Sequence, residues 1–290
     1  MKRFLIFFLL LALLTGCSPQ KAPADIAATT LPIYEFTTRL CAGTGLTVTR
    51  LVTENVSCLH DYALNVRQVR AAEAADVIVI NGAGLEEFME DLLSGADVID
   101  SSRAVTVLEA EGHHDHDHHG HDHAHESDSH TWLSPENAMV MAETIAEDLS
   151  VRYPEHAGAF AANLSSLLSD ITSVQTYADE QLGSLACRDL LTFHDGFSYL
   201  AHAFDLHIVH AIEEESGSEA SAAELKHMIE ITREHSLPAV FVEANGSCSA
   251  ASIIAAETGA RVFTLDMAMS GESWFDAMYH NIDTLKEALE

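Results

Sequence analysis

DLLTFHDGFSYLAHAFDLHIVHAI, residues 189–212, decides the fold. Asp189 to Phe193 reads as a strand, Gly196 to Phe204 is helical, and His207 to Ile212 is a second strand. A strand, a helix and a strand in this order imply a parallel pair with the helix laid across one face. His194 directly follows the first strand, at the end where open α/β sheets bind ligands.

Downstream the alternation continues. Ser221-Ala222-Ala223-Glu224 is a capping box that opens a helix to His235. Ala239 to Glu243 and Arg261 to Leu265 are strands, with a helix from Ser249 to Glu257 between them, and a helix from Ser273 to Leu289 comes last. Upstream, a helix from about His156 to Gln181 carries Phe160, Leu164, Leu167, Leu168, Ile171 and Val174 on one face. At 1.5 Å per residue it is roughly 40 Å long, which suits a rigid strut between two lobes. Ser134-Pro135-Glu136 opens the helix before it, which runs to about Arg152.

Nearer the N-terminus, strands are expected at Ile26–Thr30, Leu46–Val52, Asp76–Ile80, Val98-Ile99 and Ala104–Leu108. Helices are expected at Pro32–Cys41, Arg67–Ala75 and Leu85–Leu93. The predicted architecture is α/β: an N-terminal lobe over 25–155, a linking helix over 156–184 and a C-terminal lobe over 185–290. Each lobe is a mostly parallel sheet flanked by helices, and the whole describes a hinged or clamshell receptor.

Lys2 and Arg3 precede an apolar run from Phe4 to Leu14, too short to span a bilayer as a mature helix and read as a signal-peptide core. Leu14-Thr15-Gly16-Cys17 resembles the bacterial lipobox, which implies a leader over residues 1–17, cleaved before Cys17, and a lipid on its thiol. Residues 18–24, with Pro19 and Pro23, make a tether. The mature protein is expected on the extracytoplasmic face, touching the membrane only through its acyl chains. With 14 basic and 45 acidic residues the net charge is -31, which repels nucleic acid and anionic headgroups and concentrates cations. Outside the cell Cys41, Cys58, Cys187 and Cys248 favour disulfides, with three pairings possible. Pairing within each lobe gives Cys41–Cys58 and Cys187–Cys248. None lies in a CxxC, which argues against a thiolate zinc site.

GHHDHDHHGHDHAHESDSHTWLSP, residues 112–135, carries His113, His114, His116, His118, His119, His121, His123 and His125 interleaved with acids. Imidazoles and carboxylates at this density suit a borderline divalent cation such as zinc, and nothing apolar here builds a core. The run through residue 129 reads as a metal-collecting loop, with His130 the first residue of an ordered site behind it. His60 comes after one strand, His194 after another, and Asp266 after Leu265. His60, His130, His194 and Asp266 together make a tetrahedral zinc set, two from each lobe across the cleft.

SCLHDYAL around His60, DSHTWLSP around His130, the segment around His194, and VFVEANGSCSAASIIAAETGARVFTLD up to Asp266 resemble the metal-binding receptors of ATP-binding-cassette importers for zinc and manganese. The resemblance implies a metal held between two lobes joined by a long backbone helix, and a membrane permease as partner of a monomeric receptor. It implies His60, His130, His194 and Asp266 as ligands; Glu243, at another strand end, is the rival carboxylate and is read as supporting them from behind. Manganese-type receptors carry glutamate where His194 stands, so an imidazole there, with the histidine-rich loop, points to zinc. Asn65 and Met267 lie near places where the family often has proline. A manganese receptor of the same family is the near alternative. An extracellular zinc hydrolase is the distant one, but no HExxH occurs, since His125-Glu126 runs into Ser127-Asp128-Ser129. An adhesin or passive zinc store explains the loop and leaves His60, His194 and Asp266 without a role.

Overall fold

Burial on both faces makes VIVI at residues 77–80 a central strand, and the elements around it assemble accordingly. The structure, a computed structural model, describes residues 24–54, 56, 59, 62–108, 128–212 and 220–290. The first lobe contains β1 (Ile26–Ala28), α1 (Leu31–Leu40), β2 (Val48–Arg50), α2 (Val66–Glu73), β3 (Val77–Ile80), α3 (Glu90–Leu93) and β4 (Val98–Asp100). Its four strands are all parallel, in the order β2-β1-β3-β4. Two long helices come next, α4 (Pro135–Arg152) and α5 (Ala157–Leu182). The second lobe contains β5 (Asp189–Thr192), α6 (Ser198–Ala203), β6 (His207–Ala211), α7 (Ala222–Glu234), β7 (Ala239–Glu243), α8 (Ser249–Thr258), β8 (Arg261–Leu265) and α9 (Trp274–Leu289). Its sheet repeats the same parallel order, β6-β5-β7-β8. Strand order therefore reverses between β1 and β3 and between β5 and β7, where binding crevices open.

Local chemistry starts the helices. Ser221 accepts from the Glu224 N–H while the Glu224 carboxylate accepts from the Ser221 N–H, the box read in the sequence. Asn65 and Gln68 form a second box at α2. Ser134 accepts from the Asn137 N–H at α4. Two expectations fail. Ala104–Leu108 forms no strand: Val107 is exposed, and the Leu108 N–H donates to the Tyr199 hydroxyl. Leu85–Leu93 is a 3-10 turn over Glu87–Met89 continued by the short α3 rather than one helix.

One core joins the lobes. Phe36 and Leu40 of α1, Ile145 and Leu149 of α4, Phe160, Leu167, Ile171 and Val174 of α5, and Ile282 and Leu285 of α9 are buried in one cluster with Trp132 and Trp274. The outer face of each sheet has a smaller cluster of its own. At 26 residues α5 is about 39 Å long, and its apolar face is covered from both lobes. A shared core resists relative motion of the lobes, in keeping with the rigid linking helix expected from the sequence.

Cys41, Cys187 and Cys248 are free thiols in this structure, so Cys187–Cys248 does not form. Cys187 precedes β5 at the N-terminal edge of the sheet, whereas Cys248 lies past β7, beyond the sheet's C-terminal edge. A strand's length of roughly 13–17 Å separates those edges, against the Cα spacing of about 7 Å at most that a disulfide tolerates. The expected Cys41–Cys58 pair involves Cys58, which lies outside the described residues.

Candidate metal site

His130 opens the 3-10 turn Thr131–Leu133, ahead of α4, and is 3% exposed. Asp128 fixes it: one carboxylate oxygen, Oδ1, accepts from the His130 N–H at 2.9 Å and stands 2.8 Å from Nδ1. A carboxylate only accepts, so Nδ1 carries the proton and Nε2 presents its lone pair toward the His194 ring. Burial pushes the Asp128 carboxyl up, but its bonds to His130 outweigh that and hold it below the ordinary value. The Ser129 carbonyl accepts from Asn81 Nδ2, which ties this stretch to the end of β3.

His194 leaves the end of β5, a strand whose register with β6 shifts between Leu190 and Leu191. Such an irregularity re-aims the side chains beyond it. The His194 and His130 rings are nearly perpendicular, at 88°, and their Nε2 atoms stand 3.4 Å apart. Two bonds of ~2.05 Å from a tetrahedral zinc end on atoms about 3.3 Å apart, so this spacing suits one ion between two imidazoles. Gly196 makes room: a Cβ there would sit 2.5 Å from His194 Cδ2, 2.7 Å from its Nε2 and 2.7 Å from Met267 Cε.

Asp266 lies at the end of β8. Asn281 of α9 grips its backbone, accepting its N–H at 2.7 Å and donating to its carbonyl at 2.8 Å, while Asp266 Oδ1 accepts the Ala268 N–H at 2.7 Å. Glu243 ends β7 in register with Leu265, one residue short of Asp266. The structure thus brings His130 and His194 together. Among the described residues no three His, Cys, Asp or Glu side chains converge on one metal position. His60, the histidines of 113–125 and Cys17 lie outside the described residues.

Asp128, Gly196, Asn281 and Trp132 were missed in the sequence. Asp128 and Gly196 each lie two residues from a candidate ligand, a spacing that was there to read. Asn281 and Trp132 act across the fold, with Trp132 Nε1 donating to the Met267 carbonyl at 2.7 Å and Trp274 Nε1 to the Trp132 carbonyl at 2.9 Å. Deeper in the first lobe, Glu86 accepts from Thr29 Oγ1 and from the Asn81 and Gly82 N–H groups, and burial pushes its carboxyl up to about 7.

Comparison with known proteins identifies the family and the anchor. Residues 1–18 match the prokaryotic membrane lipoprotein lipid attachment site, which encloses Cys17, so the protein is held by lipid outside the cytoplasmic membrane. Among the described residues no helix is long and apolar enough to cross a membrane. The chain is 27% identical over 242 residues to the manganese-binding lipoprotein MntA of Halalkalibacterium halodurans, covering 79% of this chain and 77% of that one. It is 28% identical over 300 residues to the zinc-binding lipoprotein AdcA of Streptococcus pneumoniae, covering 96% of this chain and 58% of AdcA. The solved structure of ZnuA superposes with a TM-score of 0.79 at 28% identity, covering 92% of this chain and all of that one. These are binding components of uptake systems rather than enzymes, which removes the hydrolase alternative. Residues 26–288 match the family described as zinc-uptake complex component A, periplasmic, and the chain belongs to that family.

Proposed function

We propose that this chain is a lipid-anchored receptor that captures zinc outside the cell membrane and delivers it to the permease of an ATP-driven importer. His60, His130, His194 and Asp266 hold the ion, Glu243 supports them, and His113 to His125 collect metal for the site. The observation that carries the reading is the pair of imidazole Nε2 atoms 3.4 Å apart, one of them oriented by a buried carboxylate. Neutral imidazoles with one carboxylate suit zinc, which takes nitrogen donors in a tetrahedron, better than manganese, which favours oxygen and higher coordination. The net charge of -31 adds a field that gathers cations of either kind. Manganese is the second reading, favoured by the likeness to MntA. Competition titration of chelator-stripped protein with both metals tests the choice. Zinc is expected to win, and a manganese preference overturns the assignment.

A further inference from the structure

We propose that residues 266–274 form an arm fastened to the first lobe, that this fastening makes Asp266 a one-oxygen donor, and that Arg50 and Glu35 are thereby positioning residues for metal selectivity. The inference rests on the receptor reading above.

The arm leaves β8 in a constrained conformation. Ala268 is left-handed at φ 54°, and this turns its N–H onto Asp266 Oδ1 at 2.7 Å. Left-handed backbone disfavours a residue with a Cβ and persists where the surroundings over-determine it. Here the determinants come from the other lobe. Trp132, two residues after His130, donates its indole N–H to the Met267 carbonyl. Arg50, at the end of β2, donates from Nη2 to the Met269 carbonyl at 2.7 Å and from Nη1 to the Gly271 carbonyl at 3.3 Å. Glu35 of α1 accepts from Ser273 Oγ at 3.1 Å and from the Trp274 N–H at 2.6 Å. Met267, Ala268 and Met269 are buried. Asp266 is therefore carried on the second lobe's last strand and oriented by the first lobe.

The consequence is denticity. The Ala268 N–H takes one lone pair of Oδ1 and limits how far the carboxylate can turn, so that Oδ2 is the oxygen it offers a metal most readily. One oxygen and three imidazole nitrogens are four donors, the number zinc takes in a closed site. A carboxylate freed to turn offers two oxygens, which favours the harder, higher-coordinate manganese.

The test uses the mature full-length chain with Arg50→Ala, Arg50→Lys and Glu35→Gln. Competition titrations with zinc and manganese give the affinity ratio, and amide exchange reads the arm. Arg50→Ala is expected to narrow the zinc-over-manganese ratio about tenfold, the worth of one bond from a charged donor. Exchange should quicken over Met267–Gly271 with the melting temperature nearly unchanged. Arg50→Lys should restore part of the ratio, since an ammonium reaches one of the two carbonyls. Glu35→Gln should narrow the ratio less. Quicker exchange with an unchanged ratio refutes the role in selectivity, and unchanged exchange in Arg50→Ala refutes the fastening. Wild-type protein that binds no zinc refutes the receptor reading instead.

Discussion

Gly196→Ala isolates orientation from inventory, because it removes no candidate ligand. The added Cβ would stand 2.5 Å from His194 Cδ2, so the ring must retreat about 0.9 Å to reach the 3.4 Å of ordinary contact. Bonds to a metal tolerate about 0.2 Å, so a shift of that size takes the Nε2 out of range. Zinc affinity should fall about 100-fold, or about 2.8 kcal/mol, at the upper end of what losing an orienting neighbour costs. Folding should hardly notice. Gly196 has no left-handed φ, and the atoms that must yield belong to the ends of the His194 and Met267 side chains. Alanine also lowers the entropy of the unfolded chain, so stability should stay within about 1 kcal/mol of wild type. A competing chromogenic chelator measures the affinity, and thermal unfolding of stripped protein measures the fold. Zinc affinity within about threefold of wild type would show that His194 is not held where a metal needs it.

Glu86 keeps its proton in the folded state between the ordinary value of 4.5 and about 7, so its stabilising contribution is complete below that window and is lost as pH rises through it. Thermal melts from acid to neutral pH should show that decline in the wild type and not in Glu86→Gln; parallel curves would refute the assignment. Deleting His113 to His125 should leave one tight zinc site and abolish weaker ones in calorimetric titration, and loss of the tight site would make the loop the principal ligand source. His194→Glu exchanges a nitrogen donor for a carboxylate and should weaken zinc and narrow its preference over manganese; unchanged zinc affinity would remove His194 from the site.

Much of this was legible because the signals were local. Ala239–Glu243 and Arg261–Leu265 fold over the residues read as strands, since each is a short run rich in β-branched and aromatic residues. His194 and Asp266 fall beyond the ends of β5 and β8, where tracing the strands places them. Ala104–Leu108 misled because an apolar run becomes a strand only beside a partner, and here Leu108 turns its N–H to Tyr199 instead. Cys187 and Cys248 misled for a related reason: sharing a lobe is weaker than sharing an edge of its sheet. Arg50 reaches a carbonyl 219 residues away, and no window of sequence contains that contact.

The proposed donor set favours zinc but does not by itself exclude other divalent ions, since three imidazoles and a carboxylate can serve several. Choice arises from how many atoms each residue can present. Asp128 holds the proton on His130 Nδ1, so only Nε2 faces the site. Gly196 lets the His194 ring bring its own Nε2 within 3.4 Å of that atom. The Ala268 N–H takes one lone pair of Asp266 Oδ1 and limits how its carboxylate can turn. Each restraint limits how a side chain can present its donors, and in the proposed site a fourth ligand at His60 would leave few ways to expand beyond four bonds. The proposed zinc preference is thus a property of the partners behind the ligands. Substitutions there should shift the balance between metals more than they shift the stability of the fold.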